Sequence, residues 1–181
     1  MWDTIVNDVL ADLKIIQAQT GLKKIYITGI SLGGGLSVIS FVDIDNSKIF
    51  KDVEVINYGS PRVANKNYAE FFDKATNNKS KRYIVKGDPI VVLPECLTIL
   101  CNYKHTGNQY VCIEDEKICR GNLPIPEGLF SKISWKIHAD QSQKNLGSIV
   151  DHIYGYKKIY NFTVVEKWFN HHQKCISHLV I

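Results

Sequence analysis

In the first half of the chain, segments with apolar residues at helical spacing alternate with short apolar runs that are typical of strands. Residues 2–18 carry one apolar stripe at helical spacing, and Gly21 after them is a typical helix end. Short apolar runs predict strands at 23–28, 53–58 and 81–85, with helices at 33–41 and 65–75 between them. This order predicts an α/β fold with a mainly parallel sheet and flanking helices.

The pattern is looser after Pro89. Residues 103–113 alternate as in an antiparallel strand, and residues 114–117 have the composition of a hairpin turn. Residues 121–150 are weakly patterned and are interpreted as long loops. Helical spacing returns at 153–169.

The amino-acid composition excludes some classes of protein but does not indicate a function. The chain has 181 residues, of which 45% are hydrophobic and 22% charged, as in ordinary globular proteins. The formal charge of +4 is mild and the lysines are scattered, so we expect no nucleic-acid partner. No apolar stretch has the length of a transmembrane segment. Without internal repeats or linkers, residues 1–181 are predicted to form a single domain.

Five cysteines lie in the second half of the chain: Cys96, Cys101, Cys112, Cys119 and Cys175. The spacing favours two local disulfides, Cys96–Cys101 and Cys112–Cys119, and leaves Cys175 over. A zinc site is the competing interpretation, although no pair of histidines interleaves the cysteines.

The indications about the cellular compartment conflict. Disulfides indicate an oxidising compartment. Two sequons, at Asn78 and Asn161, would be glycosylation sites in a secreted protein. The first residues, however, lack the basic start and apolar core of a signal peptide.

The most specific local motif joins the first predicted strand to the next helix. An apolar run leads directly into Gly29-Ile30-Ser31-Leu32-Gly33, and Gly-x-Ser-x-Gly in this position is the pattern of a nucleophile elbow. We expect a side chain at position 29 or 33 to collide with the neighbouring strand or helix. The turn would raise the Ser31 hydroxyl above the sheet and direct the Leu32 amide to the same point. Ser31 is therefore a candidate nucleophile and Leu32 a candidate oxyanion donor.

A serine nucleophile needs a base, and the base needs an acid to orient it. Asp88 directly follows a predicted strand and so lies at the same sheet edge as the elbow, although an ordinary Asp-Pro turn is the alternative. Among six histidines, His152 is favoured as the base because it follows a loop and opens a helix. His138 is the second choice, and His105, inside an alternating strand, is interpreted as structural.

These motifs resemble those of the class 3 lipases, the fungal-type triacylglycerol lipases within the α/β hydrolases. Residues 28–34 resemble the family's elbow Thr-Gly-His-Ser-Leu-Gly-Gly, with Ile30 in place of the histidine. Residues 58–65 are similar to Phe-Gly-Ser-Pro-Arg-Val-Gly-Asn, a more specific block. Residues 87–94 resemble the segment that carries the family's acid.

Two further segments extend the resemblance. Residues 103–107 resemble a Tyr-x-His-x-Gly strand that is structural in the family. Asp151-His152 begins a segment similar to the family's Asp-His-x-x-Tyr loop, which carries the base. The family's tyrosine can match only one of Tyr154 and Tyr156.

The resemblance implies a lipid esterase with Ser31, Asp88 and His152 as its triad and Leu32 as an oxyanion donor. It implies an acyl-enzyme mechanism at a lipid–water interface, with no metal and no organic cofactor. An inactive remnant that binds lipid without hydrolysing it is the alternative, and a small cysteine-rich interaction module is a distant third.

The family's chain begins well before this one. Its earlier part carries strands, a lid helix and the loop with the second oxyanion donor. We therefore expect this chain to be the C-terminal portion of the family's domain. The lost part would hold a signal peptide and a partner for Cys175, so a full-length form is expected to be secreted or to enter the endomembrane or lysosomal lumen.

Overall fold

The computed structural model describes residues 1–85, 88–94, 102–113, 118–121, 152 and 156. Its first elements are α1 (Trp2–Thr20), β1 (Lys24–Ile30), α2 (Leu32–Asn46), β2 (Asp52–Tyr58), β3 (Ala64–Asn65), α3 (Lys66–Ala75) and β4 (Lys81–Val85). A 3-10 helix at Ile90–Val92 is followed by β5 (Tyr103–Lys104), β6 (Asn108–Ile113) and β7 (Ile118–Gly121).

Five of the strands form one sheet in the order β1-β2-β4-β6-β7. The neighbours from β1 to β6 pair in parallel, and β7 runs antiparallel to β6. The short strands β3 and β5 form a separate antiparallel pair. The predicted mainly parallel α/β sheet is therefore confirmed, and its parallel strands end at one common edge.

The predicted helices and strands of the first half are confirmed with small shifts at their ends. Gly21 ends α1 in the left-handed conformation at φ 66°. Helix α2 continues beyond the predicted residue 41 to Asn46, since its later residues still offer an apolar face. The side chain of Asn65 caps α3 by accepting a hydrogen bond of 2.8 Å from the Tyr68 amide.

The prediction for residues 103–113 is confirmed in part: the antiparallel pairing with the segment after 114–117 is present as β6 and β7, but a single continuous strand over 103–113 is wrong. Gly107, at φ 75°, interrupts the segment, so β5 pairs with β3 while β6 joins the main sheet. Strand β6 runs parallel to β4 and antiparallel to β7. An alternating pattern indicates that one face of a strand is buried. It does not indicate whether the neighbouring strand is parallel or antiparallel. The predicted turn at 114–117 and most of the segments 121–150 and 153–169 lie outside the described residues.

The main core lies between the sheet and the helices α2 and α3. Its buried side chains include Val38, Phe41, Ile44, Phe50, Val53, Val55 and Phe72. Phe41 and Phe72 meet edge to face with ring centroids 5.0 Å apart, which joins α2 to α3. Phe71, the residue before Phe72 in α3, is 49% exposed. Helix α1 is tied to α2 by a 2.7 Å hydrogen bond from Trp2 Nε1 to Asp43.

No helix in the described ranges is both long enough and apolar enough to cross a membrane.

Candidate active site

Ser31 occupies the sharp turn between β1 and α2. Its backbone has φ 54° and ψ −123°, values that an L-residue with a side chain rarely adopts. The Ser31 amide donates a 2.9 Å hydrogen bond to the carbonyl of Tyr58, the last residue of β2. Strain held in this way by surrounding structure is typical of a functional turn. Leu32 begins α2, so its amide lies in the first turn, where helical N–H groups have no intrahelical partner.

Glycines allow close packing around this turn, but not all of the glycines predicted to be crowded are crowded. A Cβ on Gly29 would lie 2.1 Å from the carbonyl oxygen of Gly33, as expected. The prediction of a collision at Gly33 is wrong, because a Cβ there meets nothing within 4 Å. The crowded positions are the next two: a Cβ on Gly34 would lie 2.9 Å from Ser60 Cβ, and one on Gly35 2.8 Å from Val63 Cγ1. The glycines thus seat α2 against the loop that follows β2.

Asp88 lies beyond the carboxyl end of β4 and is only 2% exposed. Its Oδ1 accepts a 2.8 Å hydrogen bond from the Ile90 amide, which holds the turn into the 3-10 helix. Its Oδ2 lies 2.6 Å from Nδ1 of His152. Asp88 is therefore both a turn residue and the partner of a histidine, and the two interpretations of the Asp-Pro sequence hold together.

His152 is buried beside this carboxylate, with 2% of its surface exposed. Because Nδ1 faces an acceptor-only carboxylate, the proton on that nitrogen points to Asp88. The opposite nitrogen, Nε2, is buried and has no hydrogen-bond partner within the described part of the chain. A buried imidazole nitrogen that is left open while the other is held by a carboxylate is the arrangement of a general base.

Tyr156 completes the surroundings of Asp88. Its hydroxyl donates a 2.8 Å hydrogen bond to Asp88 Oδ2 and accepts one of 2.9 Å from the Val85 amide. The side chain is fully buried, and its ring meets that of His152 edge to face at 5.4 Å. The sequence left Tyr154 and Tyr156 open as alternatives; the described contacts are those of Tyr156, four residues after His152 and so one helical turn away.

Ser31 and His152 border the same end of β2. Gly59, the residue after β2, has φ 57°, and a Cβ on it would lie 2.5 Å from Cε1 of His152. The imidazole therefore lies against the backbone next to Tyr58, whose carbonyl receives the Ser31 amide. The strand ends thus bring together the elbow, the acid and the histidine that the sequence singled out.

The Gly-Ser-Pro-Arg-Val block has a structural explanation of its own. The amide of Arg62 donates a 2.7 Å hydrogen bond to the Leu93 carbonyl. Its buried guanidinium donates to the carbonyls of Val92 and Pro94. Arg62 therefore fastens the loop after β2, which carries Gly59, to the segment after Asp88, and so holds the two parts of the site together.

His105 is placed away from these groups. Its Nε2 lies 2.8 Å from the Val91 carbonyl, and desolvation, with Arg82 and Arg62 nearby, holds the pKa of His105 well below its ordinary value. An imidazole kept neutral and bonded to a backbone carbonyl agrees with the structural interpretation. His138, the second choice for the base, lies outside the described residues.

Comparisons with known proteins show the family of this chain. The family model "Lipase (class 3)" matches residues 1–98. The secreted mono- and diacylglycerol lipase A of Penicillium cyclopium is 27% identical over 109 residues, which are 60% of this chain and 34% of that protein. The mono- and diacylglycerol lipase of Aspergillus oryzae superposes with a TM-score of 0.54 at 26% identity, covering 61% of this chain and 39% of that one.

A more distant neighbour extends the likeness in fold. The Rhizomucor miehei lipase in its propeptide complex superposes with a TM-score of 0.61 at 19% identity, covering 83% of this chain and 46% of that one. The mainly parallel sheet with a strained serine at its strand-to-helix turn thus defines an α/β hydrolase. The chain belongs to the class 3 lipase family. It spans about a third of the length of the curated relatives that it matches.

Proposed function

We propose that the protein is a serine hydrolase that cleaves carboxylic esters of lipids, with Ser31 as nucleophile, His152 as base and Asp88 as acid. The observation that carries this proposal is the state of the imidazole. His152 is bonded to Asp88 through Nδ1, whereas Nε2 is buried and has no hydrogen-bond partner among the described residues. The ring lies against Gly59, next to Tyr58, whose carbonyl accepts the hydrogen bond of the Ser31 amide.

The residues would act in two steps. Ser31 Oγ attacks the ester carbonyl while His152 Nε2 takes the hydroxyl proton, and the Leu32 amide donates to the oxyanion. The proton on Nε2 then passes to the leaving alcohol, which gives an acyl-serine. A water molecule, deprotonated by the same nitrogen, hydrolyses the acyl-serine and restores Ser31. Throughout, Asp88 stabilises the imidazolium and Tyr156 holds the carboxylate in place.

The substrate class follows from the relatives. Several of them are named mono- and diacylglycerol lipases, and they are described as secreted. We therefore assign acylglycerols at a lipid–water interface as the substrate, and secretion as the destination of the protein. The proposed steps use no metal and no organic cofactor. We further propose that residues 1–181 form a single domain, as the sequence predicted.

A disulfide between Cys112 and Cys119 is part of the same proposal. The two residues are direct partners in the register of β6 and β7. Direct antiparallel partners have Cα atoms about 4.5–5.5 Å apart, within the range that a disulfide bridges. Mass mapping without reduction tests it: a peptide pair joined at these residues is expected, and alkylation of both as free thiols would contradict both the bond and the argument for secretion.

Hydrolysis of a monoacylglycerol emulsion and of a short soluble ester tests the proposed activity. Turnover that disappears in Ser31→Ala while the circular dichroism spectrum is unchanged supports it. Binding to acylglycerol vesicles without turnover, equal in the wild type and in Ser31→Ala, would contradict it and favour the lipid-binding remnant.

A further inference from the structure

Asn78 stands at the tip of the turn between α3 and β4. Both Asn77 and Asn78 adopt left-handed backbone conformations, with φ 49° and 55°. Both are exposed to solvent. No hydrogen bond found in the described parts of the chain involves the side chain of Asn78, so its amide points to solvent with nothing to hold it.

The backbone that presents this side chain is well fixed. The Asn78 amide donates a 3.0 Å hydrogen bond to the carbonyl of Asp73 at the end of α3. The carbonyl of Asn78 accepts a hydrogen bond from the side chain of Asn108 on β6. The turn is therefore an exposed projection whose backbone is held at both sides of Asn78.

A second observation comes from Ser80, two residues after Asn78. Ser80 is fully buried, yet its hydroxyl oxygen has no hydrogen-bond partner among the residues that the structure describes. A small side chain is needed there, because Ser80 packs against Gly107, but alanine would satisfy that need equally well. Folding therefore does not account for the hydroxyl. The attachment of an N-linked glycan does account for it, since the acceptor sequence Asn-x-Ser/Thr requires a hydroxyl two residues after the asparagine.

We propose that Asn78 carries an N-linked glycan, within the sequon Asn78-Lys79-Ser80. The site lies before the amino end of β4, whereas Asp88 lies after its carboxyl end. Five strand residues, about 17 Å of chain, separate the two ends. The glycan would thus leave the candidate active site open. This inference rests on the secretion assigned under the proposed function, because the transferase acts in the secretory pathway.

To test the proposal, the whole chain is expressed with a cleavable secretion signal in a eukaryotic host. The fraction of Asn78 that carries a glycan is then measured in the secreted protein. Peptide mass spectrometry after enzymatic deglycosylation in heavy-oxygen water marks each occupied asparagine. We expect the mark at Asn78 in the wild type and its loss in both Asn78→Gln and Ser80→Ala. Asn77→Gln, in the same turn but outside the sequon, is the matched control and should keep it.

Ser80→Ala also separates this role from a structural one. Because the hydroxyl makes no hydrogen bond to any described residue, its removal should leave the Tm of the deglycosylated protein unchanged. Secreted wild-type chain with Asn78 unmodified would overturn the proposal, and so would a mark at Asn78 that persists in Ser80→Ala. Occupancy is read by mass and not by turnover, so a glycosylated but inactive chain would contradict the proposed function and leave this one standing.

Discussion

The imidazole of His152 occupies the space that a side chain on Gly59 would fill. A Cβ at this position would lie 2.5 Å from Cε1 of His152 and 2.8 Å from the Tyr156 ring. The residue also has φ 57°, which disfavours any L-side chain. Gly59, the glycine of the Gly-Ser-Pro-Arg-Val block, thus provides the backbone surface against which the His152 imidazole packs.

Gly59→Ala is therefore expected to displace His152 and to abolish most of the esterase activity. Ester turnover and unfolding by urea measure the two consequences. We expect a loss of stability larger than the roughly 1 kcal/mol of an ordinary backbone effect, because the Cβ also meets two rings. Gly33→Ala is the matched control, since a Cβ there has open space and a helical alanine is more stable than glycine. Equal stability of the two variants would refute the packing argument.

Asp88→Asn should leave a folded but nearly inactive enzyme. The amide cannot stabilise an imidazolium and favours the wrong tautomer, which in triad hydrolases costs on the order of 10⁴ in kcat. Steady-state kinetics on a soluble ester measures the change. A variant that retained a tenth of the wild-type kcat would contradict the assignment of Asp88 as the acid that orients His152 through the 2.6 Å contact.

Tyr156→Phe removes one of the donors to the Asp88 carboxylate and leaves the Val85 amide without this acceptor. A hydrogen bond to a charged group contributes about 1.5–3 kcal/mol, so we expect an unfolding free energy lower by that order. Loss of about 1.5 kcal/mol in transition-state stabilisation corresponds to about tenfold in kcat. The KM should not change, because the hydroxyl faces the acid and not the substrate.

Tyr154→Phe provides the comparison, because the sequence left the two tyrosines as alternatives. Urea unfolding and kcat are measured for both variants under the same conditions. A larger effect from Tyr154→Phe would show that the supporting tyrosine has been assigned to the wrong residue.

His105 makes the stability depend on pH. Its pKa in the folded protein is held well below the ordinary 6.5. The unfolded chain therefore binds a proton near pH 6.5 that the folded chain does not, and stability falls as the pH is lowered from there. His105→Gln retains an N–H donor for the Val91 carbonyl but cannot titrate. Urea midpoints between pH 6.5 and about pH 5 should fall less steeply in this variant. Parallel slopes would contradict the assignment.

Local signals in the sequence predicted the first half of the fold well. Gly21, the apolar stripe of α1 and the runs before Ser31 and Asp88 each act within a few residues, so their elements are predictable without the rest of the chain. The direction of β6 was not predictable, because its parallel pairing with β4 depends on residues far apart in sequence. The crowding at Gly34 and Gly35 was missed for the same reason, since the neighbours come from the loop after β2.

The candidate site was predicted at the level of residue type and order. Ser31, Asp88 and His152 follow from the elbow, the strand end and the family resemblance. The support from Tyr156 depends on whether a side chain one helical turn after His152 reaches the acid, and sequence spacing alone left two candidates. Arg62 was visible only as part of a motif; its role requires the carbonyls of Val92 and Pro94, thirty residues later in the chain.

Covalent labelling by a fluorophosphonate probe tests the central claim most directly, because the probe reacts only with a serine whose hydroxyl is activated by a base. The account predicts labelling of the wild type at Ser31, confirmed by peptide mass, and none in Ser31→Ala. It also predicts strongly reduced labelling in Asp88→Asn. A folded wild-type chain that the probe does not label, or that it labels at another serine, would contradict the account.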